Sequence, residues 1–255
     1  MEYGLYISAA GLQTQEYRQG VFANNLANAQ TVGFKRDLAI LQSRRSPALE
    51  DPTLAKYRSA ELGQLGGGVL AAPTGIDLTP STLLPSANKT DVALEGAGFF
   101  TVEGTQPGQK LLTRNGQFLI NDKNELVTAN SGQAVLDTGG NHIVVNPALP
   151  LAISANGQIR QEDAAGAQLG VVDVKDGKGL QKLGNNLFSV QDPSTLQAMP
   201  AATRVRQGNL ETSGVDPMIE LVNMMQGQRV FEANAKMITY QDTMLSEVNA
   251  VGRIA

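Results

Sequence analysis

The sequence predicts an α+β fold in which long helices at the two chain ends pair in a coiled-coil-like layer, with a mostly antiparallel β domain between them. Three observations carry this: heptad-spaced apolar rows near the C-terminus, a weaker stripe near the N-terminus, and short β-type runs in the middle, set apart by Gly, Pro and Asn.

Residues 5 to about 28 place Leu5, Leu12 and Leu26 at heptad-compatible spacing, with Ala9, Phe22 and Ala23 nearby, and Gln19 interrupts the row. The stripe runs into Ala23-Asn24-Asn25-Leu26-Ala27-Asn28 and then Gly33, residues that accept left-handed backbone and stop a helix. Between 46 and 90 stand Pro47, Pro52, Pro73, Pro80 and Pro85, with Gly66-Gly67-Gly68 among them, which predicts an extended connector holding a short strand or two.

From about Asp91 to Arg206 the apolar runs are short: Asp91–Glu95, Phe99–Val102, Phe118–Ile120, Ile143–Val145, Leu151–Ile153 and Leu169–Val174. Asn115-Gly116, Gly139-Gly140 and Asn156-Gly157 fall between them and predict hairpins, because such residues tolerate the positive φ of tight turns. Near the C-terminus, Met224, Phe231, Ile238 and Leu245 recur at sevens, beside a second row of Val230, Met237, Met244 and Val251. Asp216-Pro217 suits the helix start, with Asp as cap and Pro in the first turn. The division expected is therefore 1–40 N-terminal helix and signature, 41–90 connector, 91–206 β-rich middle and 207–255 C-terminal helix.

Composition removes several classes of function. The 255 residues carry 20 Lys plus Arg against 24 Asp plus Glu, a net charge of −4, so nothing draws the chain to nucleic acid or anionic lipid. There is no cysteine, which excludes disulfides, thiolate chemistry and Cys-based zinc or iron–sulfur sites. Met1-Glu2-Tyr3-Gly4-Leu5 lacks the basic and apolar regions of a secretory signal, and no apolar run is long enough to span a membrane.

Catalytic constellations are weak. His142, the single histidine, sits in Gly139-Gly140-Asn141-His142-Ile143 and reads as a solvated turn residue. No serine stands in a G-x-S-x-G elbow. Asp122-Lys123-Asn124-Glu125 begins like a calcium loop, but Leu126 stands where a ligand belongs, so a β-turn is the simpler reading. Glu95, Glu103, Glu162 and Asp163 are candidates for a glycosidase pair, yet with no tryptophan and 5% aromatic residues there is no sugar platform beside them. Gly66-Gly67-Gly68 lacks the frame of a phosphate loop. The reading is a non-enzyme with no metal and no cofactor.

The terminal blocks resemble a known family. Ala23–Asn28 with Thr31-Val32-Gly33-Phe34-Lys35-Arg36 is similar to the N-terminal signature of the bacterial flagellar rod and hook proteins. Asp91–Phe100, Thr113–Phe118 and the shorter Gly184-Asn185-Asn186-Leu187-Phe188 resemble its central blocks; Gln207–Ser213, Glu220–Val222 and Gln228–Glu232 resemble its C-terminal block. The resemblance implies a structural subunit of the basal-body rod: it polymerises through its terminal helices into the axial shaft and export channel. It also implies exit through the flagellum's own type III apparatus without a cleaved signal, and partners that are copies of itself and other rod subunits in the periplasmic space. Leu5, Leu12, Leu26, Phe34, Met224, Phe231, Ile238 and Leu245 are then the expected assembly interface. Length and the full set of central blocks suit the proximal or distal rod member, and Ser213-Gly214-Val215 favours the proximal one. The competing reading is a secreted carbohydrate-active enzyme or adhesin with a helical oligomerisation tail.

Overall fold

In a computed structural model of the chain, the residues described are 2–44, 66–106, 108–162, 164–174 and 177–252. The chain divides into two compact units, each drawn from separated stretches of sequence. One gathers Met1–Ala27, Asp37–Gly75 and Pro217–Ala255; the other gathers Asn28–Arg36 and Ile76–Asp216.

The first unit is built on α1 (Glu2–Ala27) and α2 (Pro217–Gly252). Helix α2 begins directly after Asp216, with Pro217 as its first residue. The two helices pack antiparallel: a Cβ added to Gly4 would stand 2.8 Å from Gln241 Nε2, and one added to Gly11 would stand 3.0 Å from Asn234 Nδ2. Three strands accompany them: β1 (Asp37–Leu38), β2 (Leu41–Ser43) and β3 (Val69–Ala71). Strands β2 and β3 pair antiparallel, Leu41 opposite Ala71 and Ser43 opposite Val69. Tyr17 Oη donates to Ala72 O at 2.8 Å and ties α1 to the end of β3. The expected connector is thus partly stranded; its residues 45–65, with Pro47 and Pro52, lie outside the described set.

Strand β4 (Gly75–Ile76) marks the sequence boundary between the units, and β5 (Leu83–Pro85) to β19 (Asn209–Glu211) belong to the second. In order the strands between are β6 (Val92–Glu95), β7 (Phe99–Glu103), β8 (Lys110–Thr113), β9 (Phe118–Ile120), β10 (Leu126–Thr128), β11 (Leu151–Ile153), β12 (Gln158–Gln161) and β13 (Ala164–Gln168). They continue with β14 (Val171–Val174), β15 (Leu180–Gly184), β16 (Leu187–Val190), β17 (Leu196–Ala198) and β18 (Arg204–Gln207). A six-stranded sheet runs β15-β16-β8-β7-β14-β17 with every pairing antiparallel. Beside it stand the sheet β11-β12-β13 and the pairs β6–β18, β9–β10 and β5–β19.

Side-chain alternation along β7 explains the doubled aromatic. Successive residues of a strand point to opposite faces, so Phe100 and Phe99 enter different cores. Phe100 meets Phe118 edge-on at 5.2 Å, in a core shared with Val92, Leu94, Val102, Leu126 and Ile143. Phe99 meets Phe188 at 5.4 Å, with Leu112, Val174 and Leu180 around them.

Two sequence expectations are corrected here. Asn156-Gly157 does close a hairpin, between β11 and β12, but Asn115-Gly116 does not: β8 pairs with β7 and β16, and β9 pairs with β10. Gly116 is required for a different reason, since a Cβ there would lie 1.5 Å from Val92 O, where the chain passes β6 and Gly116 O accepts from Val92 N–H at 3.0 Å. The run Ile143–Val145 forms no continuous strand: Val144 makes an isolated bridge to Glu125, and His142, just before the run, makes one to Leu136.

Candidate assembly site

The signature that spans the end of α1 and the segment after it is anchored twice, once in each unit. In the first, Asn25 is 1% exposed and reads the backbone of Asp37 in both directions, Nδ2 donating to Asp37 O and Oδ1 accepting from Asp37 N–H, each at 2.9 Å. This fixes how the chain returns to α1, and only a carboxamide supplies both a donor and an acceptor in that geometry.

In the second unit, three motif blocks meet around one carboxylate. Glu211 Oε1 accepts from Lys35 Nζ at 2.7 Å and from Ser81 N–H at 2.9 Å, and Oε2 accepts from Arg114 Nη1 at 3.1 Å. All three charged side chains are 1% exposed. Lys35 Nζ also donates to Thr79 O, while Arg114 Nη2 donates to Gly96 O and its guanidinium lies 5.3 Å from the Phe99 ring. Burial lowers the proton affinity of both cations, and the Glu211 charge opposes that effect at each. Phe34 is buried beside this cluster, with Lys182 Nζ 4.2 Å above its ring and its carbonyl accepting from Gly214 N–H. Lys35, Arg114 and Glu211 stand within the motif blocks without a role legible from sequence; the signal for them is an ionisable residue inside a run that otherwise reads as core.

The expected interface residues are placed as follows. Leu5, Leu12 and Leu26 on α1 and Met224, Ile238 and Leu245 on α2 are half-buried, Phe231 is 38% exposed, and Phe34 lies in the other unit. Toward α1, α2 presents more than its apolar row. Gly227 is buried against Gln15 and Gln19, and Asn234 and Gln241 cover Gly11 and Gly4. Glu220 is buried too, and its Oε2, Gln15 Oε1 and Gln241 Oε1 are buried without a hydrogen-bond partner. The second apolar row stays outside: Val230, Met237 and Met244 are 43%, 50% and 55% exposed, joined by Met225, Tyr240 and Val248.

Elsewhere the chemistry is sparse. A groove of about 460 Å³ in the second unit is lined mainly by apolar atoms of Val32, Leu84, Pro85 and Leu210. Of the carboxylates considered for a glycosidase pair, Glu95 binds Arg206 at 2.7 Å and Glu103 binds His142 at 3.0 Å; Asp163 lies outside the described residues. His142 is turned to Glu103 and Glu125. The segment 121–125 is a turn in which Asn121 Oδ1 accepts from the N–H groups of Lys123 and Glu125. Among the described residues, no group of three His, Asp or Glu side chains has the arrangement to hold a metal ion, and no helix is long and apolar enough to cross a membrane.

Comparison with known proteins accounts for the distribution of these motifs. Residues 5–35 match the family described as flagella basal body rod protein, 93–161 the flagellar hook protein FlgE/F/G D1 domain, and 206–251 the flagellar basal body rod FlgEFG protein C-terminal. The chain is 32% identical over 256 residues to the flagellar basal-body rod protein FlgG of Buchnera aphidicola subsp. Acyrthosiphon pisum (strain APS), covering 96% of this chain and 98% of that one. It is 30% identical over 259 residues to the rod protein FlgF of Caulobacter vibrioides, covering all of both. The three matched regions hold Asn25 and Lys35, then Arg114, then Glu211 and α2, so the buried anchors and the exposed helix face both fall within the blocks that define the relatives: the chain belongs to the flagellar basal-body rod protein family.

Proposed function

We propose that this protein is a structural subunit of the bacterial flagellar basal-body rod and not an enzyme, joining copies of itself and other rod subunits through its terminal helices. The observation that carries the reading is the apolar face of α2 from Met225 to Val248, on which Met237, Tyr240 and Met244 are at least half exposed. An apolar surface of this length on a soluble chain marks an interaction site, and its position within a rod-family block gives the partner class.

In this reading α1 and α2 form a coiled-coil-like inner layer lining an export channel, with contacts carried by Leu5, Leu12, Leu26, Met224, Phe231, Ile238 and Leu245. Phe34 contributes from within the second unit, by holding the segment that follows α1. The subunit leaves the cell by the flagellar type III apparatus and resides in the rod, in the periplasmic space. Relatives named FlgG and FlgF both align over nearly the whole chain; Ser213-Gly214-Val215 favours the proximal place, with the distal rod second. Deleting the gene in its own host and imaging purified basal bodies tests this. A truncated rod without hook is expected, the stump length separating proximal from distal, and intact flagella would overturn the assignment.

A further inference from the structure

The single histidine of the chain sits in a charged setting in the second unit. Its ring stands between two carboxylates, Nδ1 3.0 Å from Glu125 Oε1 and Nε2 3.0 Å from Glu103 Oε2. A neutral imidazole carries one N–H and one lone pair, so it satisfies one carboxylate and turns a lone pair toward the other; only the imidazolium donates to both. Because the two nitrogens face opposite sides of the ring, the three groups cannot converge on one metal ion.

The contacts join three separate pieces of the second unit. Glu103 ends β7. Glu125 closes the turn before β10, its Oε2 accepting from Asn121 Nδ2 at 2.9 Å. His142 lies on the returning segment, whose Val145 N–H donates to Asn124 O at 2.7 Å and whose Ile143 O accepts from Leu126 N–H at 2.9 Å. We propose that His142 is a proton-operated clip that fastens the 121–126 turn and the 142–145 segment to the end of β7 when the ring is charged, and loosens them when it is neutral.

The surrounding charges are those of Lys110, opposite Glu103 on β8, Lys123 in the same turn as Glu125, and Asp137, whose carboxylate accepts from Asn141 N–H. Of the groups that act on the ring, the Glu125 hydrogen bond is the largest, and with Glu103 it raises the histidine above its ordinary value of 6.5 despite partial burial. A histidine raised on folding stabilises the fold fully below the unfolded value, and that contribution is lost as pH rises through the folded value. The clip is therefore closed at pH 6.5 and below and opens on the alkaline side.

A chain with one histidine gives one set of imidazole signals, so two-bond proton–nitrogen correlation of the full chain across about pH 5 to 9 reads the ring directly. The expected midpoint lies above 6.5, with the amide shifts of Leu126 and Val145 following it. Glu125→Gln and Glu103→Gln should each lower the midpoint by about half a pH unit. Both carboxylates are partly exposed, so these variants keep the fold; unchanged amide spectra at acid pH away from the turn verify that. A midpoint at or below 6.5, a midpoint unmoved in both variants, or Leu126 and Val145 amides that ignore the ring would each overturn the proposal.

Discussion

Glu211→Gln removes the one anion that serves two buried cations. In the native fold Lys35 Nζ and Arg114 Nη1 lie 2.7 and 3.1 Å from its oxygens, all three side chains 1% exposed. A glutamine whose oxygen takes the Oε1 place still accepts from Lys35 and the Ser81 N–H but turns an NH2 toward Arg114, and the opposite flip turns it toward Lys35 and Ser81; either way two buried cations lose their shared anion. Removing one partner from a buried ion pair costs about 3–5 kcal/mol, a large share of the 5–15 kcal/mol that holds an ordinary domain together. With a urea dependence of about 2 kcal/mol per molar, the midpoint of the second unit should fall by about 2 M. The assay is urea unfolding of the full chain followed by methyl NMR of Leu94 and Leu112, which lie in the unit's two cores. Lys35→Met supplies the decisive comparison. It leaves Glu211 facing Arg114 alone, a balanced pair, and should cost only about 1–2 kcal/mol. A loss below about 1 kcal/mol for Glu211→Gln, or a larger loss for Lys35→Met, would refute the view that one carboxylate compensates two cations.

Three further outcomes follow from the geometry. Gly116→Ala should destabilise the second unit by about 3 kcal/mol in the same urea assay, because its Cβ collides with Val92 O and backbone must move. At Asp77 desolvation is the largest single influence and pushes the carboxyl up, but the Thr79 hydrogen bonds and Arg36 together hold it below 3.8; its contribution is present above that pH and lost as pH falls through the folded value. Asp77→Asn should thus cost about 1 kcal/mol at neutral pH and almost nothing in strong acid, measured by thermal unfolding across pH. Phe231→Asp, at a site already 38% exposed, should leave the monomer folded by circular dichroism and abolish incorporation into basal bodies; normal incorporation would count against α2 as the assembly helix.

The helices were legible because their apolar rows recur at sevens, and the β domain because short runs alternate with turn residues. Legibility stops where a residue's partner is far away in sequence. Lys35 and Glu211 are 176 positions apart, and no local pattern announces that a lysine after Phe34 will be buried. Asn25 looked like a helix-ending residue, while its side chain clasps the Asp37 backbone. Asn115-Gly116 has the composition of a hairpin turn, yet its glycine is needed for close passage of two backbones, which sequence cannot distinguish from a positive φ. His142 reads as a solvated turn residue for the same reason: Glu103 reaches it from the end of β7 and Glu125 from the turn before β10. The apolar width of α2 was visible, but which row faces α1 depends on glycines and carboxamides that hydropathy ignores.

The antiparallel seam of the first unit has the properties of a vernier. Gly4 and Gly11 are spaced as Gln241 and Asn234 are, so sliding α1 by one heptad, about 10 Å, can bring Gly11 under Gln241 and preserve one rung. The third rung breaks that degeneracy, because the same slide carries Gln15 and Gln19 away from Gly227 and sets Phe22 and Leu26 in their place. Only one alignment seats all three carboxamide–glycine rungs together, so the offset between the two chain ends is written into the sequence and is identical in every copy of the chain.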